Sequence, residues 1–198
     1  MQELNEALFL LINASADPNA LLVAMAKVFA NQLIWLAPLA LVLGWLRGSE
    51  PVRRLMLEAT VSALAGLLIN QVIGLFWQTP RPFVLGIGHT LIPHTPDSSF
   101  PSDHLTVMWS VAFSFLMHQR PRFAGVLLAL LGLPMAWARI YLGVHFPLDM
   151  AGAALVSGLS AYLCFREQRW YMNSIYCWSM SLYRRLFSLP IRLGWVRP

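Results

Sequence analysis

The sequence is poor in charge. Asp, Glu, Lys and Arg make up 12% of its 198 residues, about half of the ~25% typical of a soluble globular domain. That deficit excludes a disordered tail, a charge-laced coiled coil and an ordinary soluble enzyme. Cysteine is scarce as well. Cys164 and Cys177 stand alone, with no CxxC and no zinc-like spacing, so neither a disulfide scaffold nor a zinc module is expected. A cleavable leader is not expected either. The residues before Ala14-Ser15-Ala16 carry Glu3 and Glu6 but no Lys or Arg, and the apolar run 7–12 is short for a leader.

What is present is hydrophobic: 58% of residues, with a mean hydropathy of +0.59. Five apolar stretches are readable, at 20–46, 55–76, 105–117, 123–138 and 150–165. About 20 residues span the hydrocarbon core of a bilayer and about 17 is the lower limit. The last three stretches reach that length only by extending into Asp103, His104, Arg139 and Asp149. The expected fold is an all-α polytopic membrane helix bundle of five to six transmembrane segments, built as a single domain over 1–198. Residues 1–19 read as an interfacial segment, 20–165 as the bundle, and 166–198, rich in Trp, Tyr and Arg, as a cytoplasmic amphipathic tail.

The net charge of +5 does not point to nucleic acid, because the basic residues do not interleave with aromatics along a polar face. They cluster between the apolar stretches. Eleven of the fourteen fall in 47–54, 118–122 and the segment from 166 onward. The positive-inside rule makes that side cytoplasmic. The 77–100 loop and the 139–149 turn then face outward, toward the periplasm of a bacterium, with the bundle in its inner membrane.

Three polar groups converge on that outer face: Thr79-Pro80-Arg81-Pro82, Phe100-Pro101-Ser102-Asp103-His104, and Arg139 with His145 and Asp149. Ionisable residues at span ends that share a cavity are functional by default. Arg81 and Arg139 are permanent cations whose planar donor forks suit phosphate oxygens. Pro101 suits the first turn of a helix, where free amides near Ser102 form an anion site, and the Ser102 hydroxyl adds a donor. His104 stands within a turn of that site, in reach of a leaving oxygen. A carboxylate at Asp149 accepting one ring proton of His145 would fix the tautomer and leave the other nitrogen nucleophilic. The set suits phosphoryl transfer through a phosphohistidine, with positive groups stabilising the equatorial oxygens. Blander readings stand beside it: arginines that set topology, a solvated histidine, and a His145–Asp149 helix cap. A metal site among His89, His94, His104 and His145 is disfavoured, because no His-x-x-x-His pair occurs and two arginines would repel a cation.

Arg81-Pro82, Pro101-Ser102-Asp103-His104 and Arg139-x5-His145-x3-Asp149 resemble the three-part signature of the type 2 phosphatidic acid phosphatase superfamily, across about residues 70–150. The resemblance implies a nucleophile at His145 oriented by Asp149, a general acid at His104, and phosphate contacts from Arg81, Arg139 and Ser102, with no cofactor or metal. Gly74 stands where the signature has Lys, Asp103 where it has Gly, and Ala138 where it has Ser. The Asp in the second motif, the chain length and the strings around His89 and His94 resemble the bacitracin-resistance type of undecaprenyl-diphosphatase within that superfamily. That implies a polyprenyl diphosphate substrate. His89 and His94 are then candidates for the second phosphate, and Asp103 for raising the pKa of His104. Alternatives are a phosphatase for another lipid, a small transporter, and a dead-site lipid-phosphate binder. Oligomeric state is not encoded in any pattern here.

Overall fold

The computed structural model describes residues 2–197; residues 1 and 198, the ends of the expected domain, lie outside the described residues. The elements are α1 (Gln2–Ile12), α2 (Ala20–Gln32), a 3-10 turn (Leu33–Trp35), α3 (Leu36–Arg47), α4 (Glu50–Phe76), α5 (Asp103–Leu116), α6 (Arg122–Tyr141), α7 (Pro147–Leu186) and α8 (Ser188–Arg192). There is no strand among the described residues. The protein is an all-α, membrane-spanning helical protein.

Four helical segments are long and apolar enough to cross a membrane: Ala20–Arg47, Glu50–Phe76, Arg122–Tyr141 and Pro147–Leu186. Five to six were expected; α5 falls short of that length, its 14 residues rising only about 21 Å. It is the centre of the bundle. Leu105, Met108 and Val111 are fully buried, and α5 packs against α4, α6 and α7. It begins at Asp103, so the Pro101-Ser102 extension is a turn leading into the helix. Ser102 is its N-cap residue.

Helices come close where side chains are small. A Cβ on Gly66 of α4 would sit 2.8 Å from Thr106 and 3.1 Å from the Ser110 hydroxyl of α5. The Ser62, Ser110 and Ser160 hydroxyls of α4, α5 and α7 meet there at 3.3 Å. Further along the same seam, Glu58 of α4 is 1% exposed and both its oxygens lie 3.1 Å from His118 Nε2.

The segment after 165 does not start a new helix. α7 runs unbroken for 40 residues, about 60 Å, twice the ~30 Å hydrocarbon thickness. Its far half is held against the α3–α4 turn. Arg54 reaches Asn173 at 3.3 Å and lies 4.4 Å over the Tyr176 ring. Tyr183 packs edge-on to Trp45 at 5.8 Å. Those contacts explain why the aromatic and basic residues of this segment stay in line with α7. At the opposite end α1 closes the bundle. Phe9 is fully buried against Phe146, and Asn5 accepts the Leu148 amide of α7 at 3.0 Å.

Candidate active site

α7 opens with Pro147, and the side chain of its third residue, Asp149, turns back to cap it. Asp149 Oδ2 accepts the Phe146 amide at 2.8 Å. The same oxygen lies 3.0 Å from His145 Nδ1 and accepts the Ser99 hydroxyl. The cap reading and the His–Asp reading therefore describe one arrangement. His145 is 2% exposed and Asp149 is 3% exposed.

The other ring nitrogen of His145 faces two guanidiniums. Arg81 Nη1 is 3.1 Å from Nε2 and Arg139 Nη2 is 3.4 Å from it. Arginine only donates, so Nε2 is the acceptor and Nδ1 carries the proton, given to Asp149. Burial, then the charges of Arg139 and Arg81, hold the His145 pKa well below the ordinary imidazole value. The ring is thus neutral with its free lone pair aimed at the cations.

Each arginine is fixed by groups that sequence distance hides. Arg81 donates to Asp97 Oδ1 at 2.8 Å, to the Val144 carbonyl at 2.9 Å and to the Ser98 carbonyl at 3.3 Å. Arg139 reaches the Ala30 carbonyl at 3.4 Å and His94 Nε2 at 3.1 Å. Arg139 Nε and the Ser102 hydroxyl are buried without a protein partner. Each is a buried donor left free for a ligand.

His94 belongs to this cluster. Its ring stands 6.0 Å from that of His145. Its Nδ1 lies 3.2 Å from the Thr95 carbonyl, so Nε2 accepts from Arg139. Burial and the nearby Arg81 charge lower its pKa. Asp97 is pushed up by burial, but the bond and charge of Arg81 outweigh this and hold its carboxyl below the usual value.

His89 stands apart. Its ring is exposed and its backbone is stapled by Asn13, which accepts its amide at 2.7 Å and donates to its carbonyl at 2.9 Å. Gly143 lies against that carbonyl with φ +80°, where a Cβ would overlap it. Asp103 is bonded to Asn70 Nδ2 of α4 at 2.8 Å, and no hydrogen bond joins it to His104 among the described residues. His104 is among the residues lining an apolar cavity of about 410 Å³, with Ile34, Leu41, Ala63, Leu67 and Val111. Among the described residues no three His, Cys, Asp or Glu side chains are grouped as metal ligands.

The PAP2 superfamily profile matches residues 55–173. The chain belongs to this superfamily. The YbjG protein of Escherichia coli (strain K12) is 38% identical over 200 residues, covering 100% of this chain and 99% of that one. Undecaprenyl-diphosphatase BcrC of Bacillus subtilis (strain 168) is 37% identical over 163 residues, 82% of this chain and 83% of its own. The crystal structure of Aquifex aeolicus LpxE shares the fold, with a TM-score of 0.64 at 23% identity, over 82% of this chain and 95% of that one. The protein is thus a PAP2 superfamily membrane phosphatase resembling the bacitracin-resistance type of undecaprenyl-diphosphatase.

Sequence reasoning missed Ser99, Asp97, Asn70 and Asn13. Only Ser99 carried a signal, its place three residues before Ser102. The others act across 16 to 76 residues of chain.

Proposed function

We propose that the protein removes the terminal phosphate of undecaprenyl diphosphate at the periplasmic face of the inner membrane. The product, undecaprenyl phosphate, is the lipid carrier for peptidoglycan precursors. Consuming the diphosphate removes the target of bacitracin, so overproduction gives resistance. The observation that carries the reading is the pair of guanidiniums converging on His145 Nε2 while Asp149 holds Nδ1. The apolar cavity that His104 helps to line supports a lipid leaving group. The similarity to undecaprenyl-diphosphatase BcrC supports the diphosphate.

In this mechanism His145 Nε2 attacks the terminal phosphorus as the bridging P–O bond breaks. Arg81, Arg139, Ser102 and the first-turn amides of α5 hold the equatorial oxygens. His104 gives its proton to the departing lipid phosphate. Water then attacks the phosphohistidine, His104 takes the water proton, the N–P bond breaks and orthophosphate leaves. His94 contacts the second phosphate. His89 is not assigned a role. Asp103, held by Asn70, borders His104 without bonding it, so tuning of the acid by Asp103 is not part of this scheme.

The test is phosphate release from undecaprenyl diphosphate by detergent-purified protein, with EDTA present and His145→Ala in parallel. Release that survives EDTA and vanishes in the variant is expected. Release only from phosphatidylglycerophosphate or phosphatidic acid keeps the chemistry and changes the lipid. Loss of activity in EDTA refutes the metal-independent route, and no release from any lipid phosphate leaves a binder.

A further inference from the structure

Ser99 is fully buried, and nothing in the phosphoryl-transfer scheme uses it. Its hydroxyl donates to Asp149 Oδ2 and lies 3.4 Å from His145 Nδ1. It is not a rival nucleophile. The hydrogen is committed to Asp149, and both guanidiniums face the opposite edge of the imidazole, at Nε2.

The backbone around Ser99 is fixed as firmly as its side chain. The Ser99 amide donates to the Thr79 carbonyl at 2.8 Å, and the Phe100 amide donates to Thr79 Oγ1 at 3.0 Å. Thr79 lies two residues before Arg81. The strap that presents Ser99 to Asp149 is therefore the strap that fixes Arg81. Asp97 and Ser98 on the same strap bind the Arg81 guanidinium directly.

We propose that Ser99 is a positioning residue of the His145–Asp149 pair. Its hydroxyl sets which Asp149 oxygen meets the imidazole and keeps that oxygen an acceptor while positive charge builds on the ring. The physical need is specific. A buried carboxylate is costly unless its lone pairs are satisfied. Three donors meet on Asp149 Oδ2: the Phe146 amide, His145 Nδ1–H and the Ser99 hydroxyl. The first is tied to the α7 cap and the second is the reacting group. Ser99 is the side-chain donor that does not change during the reaction. When Nε2 bonds to phosphorus, the Nδ1 proton stays on the ring and faces both Asp149 and the Ser99 lone pair.

The inference rests on the phosphohistidine reading but not on the identity of the lipid. The charged and titratable groups around the imidazole are Arg81, Arg139, Asp149, His94 and His104. Ser99→Ala, Ser99→Thr and Ser99→Cys are purified in detergent and assayed on undecaprenyl diphosphate and on phosphatidic acid. Ser99→Ala lowers kcat about 10- to 100-fold, the effect of losing one hydrogen bond to a buried charge. KM stays within about twofold, because Ser99 does not touch substrate. The acid limb of kcat/KM moves to higher pH, because a carboxylate stripped of a donor holds a proton more tightly. Ser99→Thr restores most of the rate. Ser99→Cys, near-isosteric but a weak donor, keeps the wild-type melting temperature and loses rate like Ser99→Ala.

A kcat and pH profile unchanged in Ser99→Ala or Ser99→Cys overturns the proposal. So does a rise in KM at constant kcat, which makes Ser99 a substrate contact. An error about the lipid leaves wild-type turnover on phosphatidic acid. An error about Ser99 leaves variant and wild type alike on both substrates.

Discussion

Replacing Asp149 by Asn tests the reading of the tautomer more sharply than removing His145. In a serine protease the matching Asp→Asn change costs about 10⁴-fold in kcat, because the histidine adopts the wrong tautomer. The surroundings of His145 differ in one respect. Arg81 Nη1 and Arg139 Nη2 point donors at Nε2 from 3.1 and 3.4 Å. A proton on Nε2 would face two cations, so that tautomer is opposed even without the carboxylate. What Asp149→Asn removes is then the charge on the acceptor opposite Nδ1, with the Phe146 and Ser99 donors left to orient the amide. A hydrogen bond to a charged group is worth about 1.5–3 kcal/mol, which corresponds to roughly 10- to 150-fold in rate. The expected loss in kcat is therefore about 10²-fold, with KM within about twofold. The assay is initial-rate phosphate release over a substrate range in detergent, on matched folded protein. Retention of more than about half of kcat would mean that Asp149 is only the α7 cap. A loss near 10⁴-fold would mean that the arginines do not hold the tautomer, and the argument from their geometry fails.

Four further outcomes follow from the structure. The His145 pKa is depressed by burial and by Arg139 and Arg81, so the nucleophile is already unprotonated at neutral pH and its own protonation gives kcat/KM no acid limb in the ordinary imidazole range. Arg139→Gln removes one of those charges and raises the residual activity's acid limb toward the ordinary imidazole range; an unmoved limb contradicts the assignment. His94→Ala raises KM for a diphosphate lipid more than for a monophosphate lipid, because His94 stands against Arg139, the residue proposed to hold phosphate; equal effects on both remove it from the second-phosphate contact. Glu58→Ala takes the partner from His118 at the far end of the α4–α5–α7 seam and costs about 1–3 kcal/mol of stability, read as a lower melting temperature with kcat on folded protein unchanged. A melting temperature equal to wild type would show that this contact contributes nothing net.

The helical class and the convergence of Arg81, Ser102, Arg139, His145 and Asp149 were legible because both depend on position along the chain. An apolar run ends at a given membrane depth, and the residues at that end share the depth whatever the packing. His145 and Asp149 are also one helical turn apart, so their contact is local. Which loop residues fold back over that level is a different question. Asp97 reaches Arg81 across 16 residues and Asn13 reaches His89 across 76, and neither spacing has a period to betray it. The same limit applies to the segment after 165, which continues α7 to Leu186. Trp, Tyr and Arg in alternation suit a membrane surface, and they equally suit a helix packed on the α3–α4 turn, where Arg54 and Trp45 meet Tyr176 and Tyr183.

The short central helix is where these limits and the chemistry meet. By starting at Asp103, α5 opens its first turn just after the Ser102 amide has bonded the Asp149 carbonyl. The following amides have no helical carbonyl to donate to, and the buried Ser102 hydroxyl is also without a protein partner. That arrangement costs stability in an apolar bundle unless an anion binds. The covering of α5 by α4, α6 and α7 offsets the cost, with Leu105, Met108 and Val111 fully buried just below the turn. A packed core thus holds unsatisfied donors at the depth where two arginines and a neutral histidine already face one another, the set of groups a transferring phosphoryl group requires.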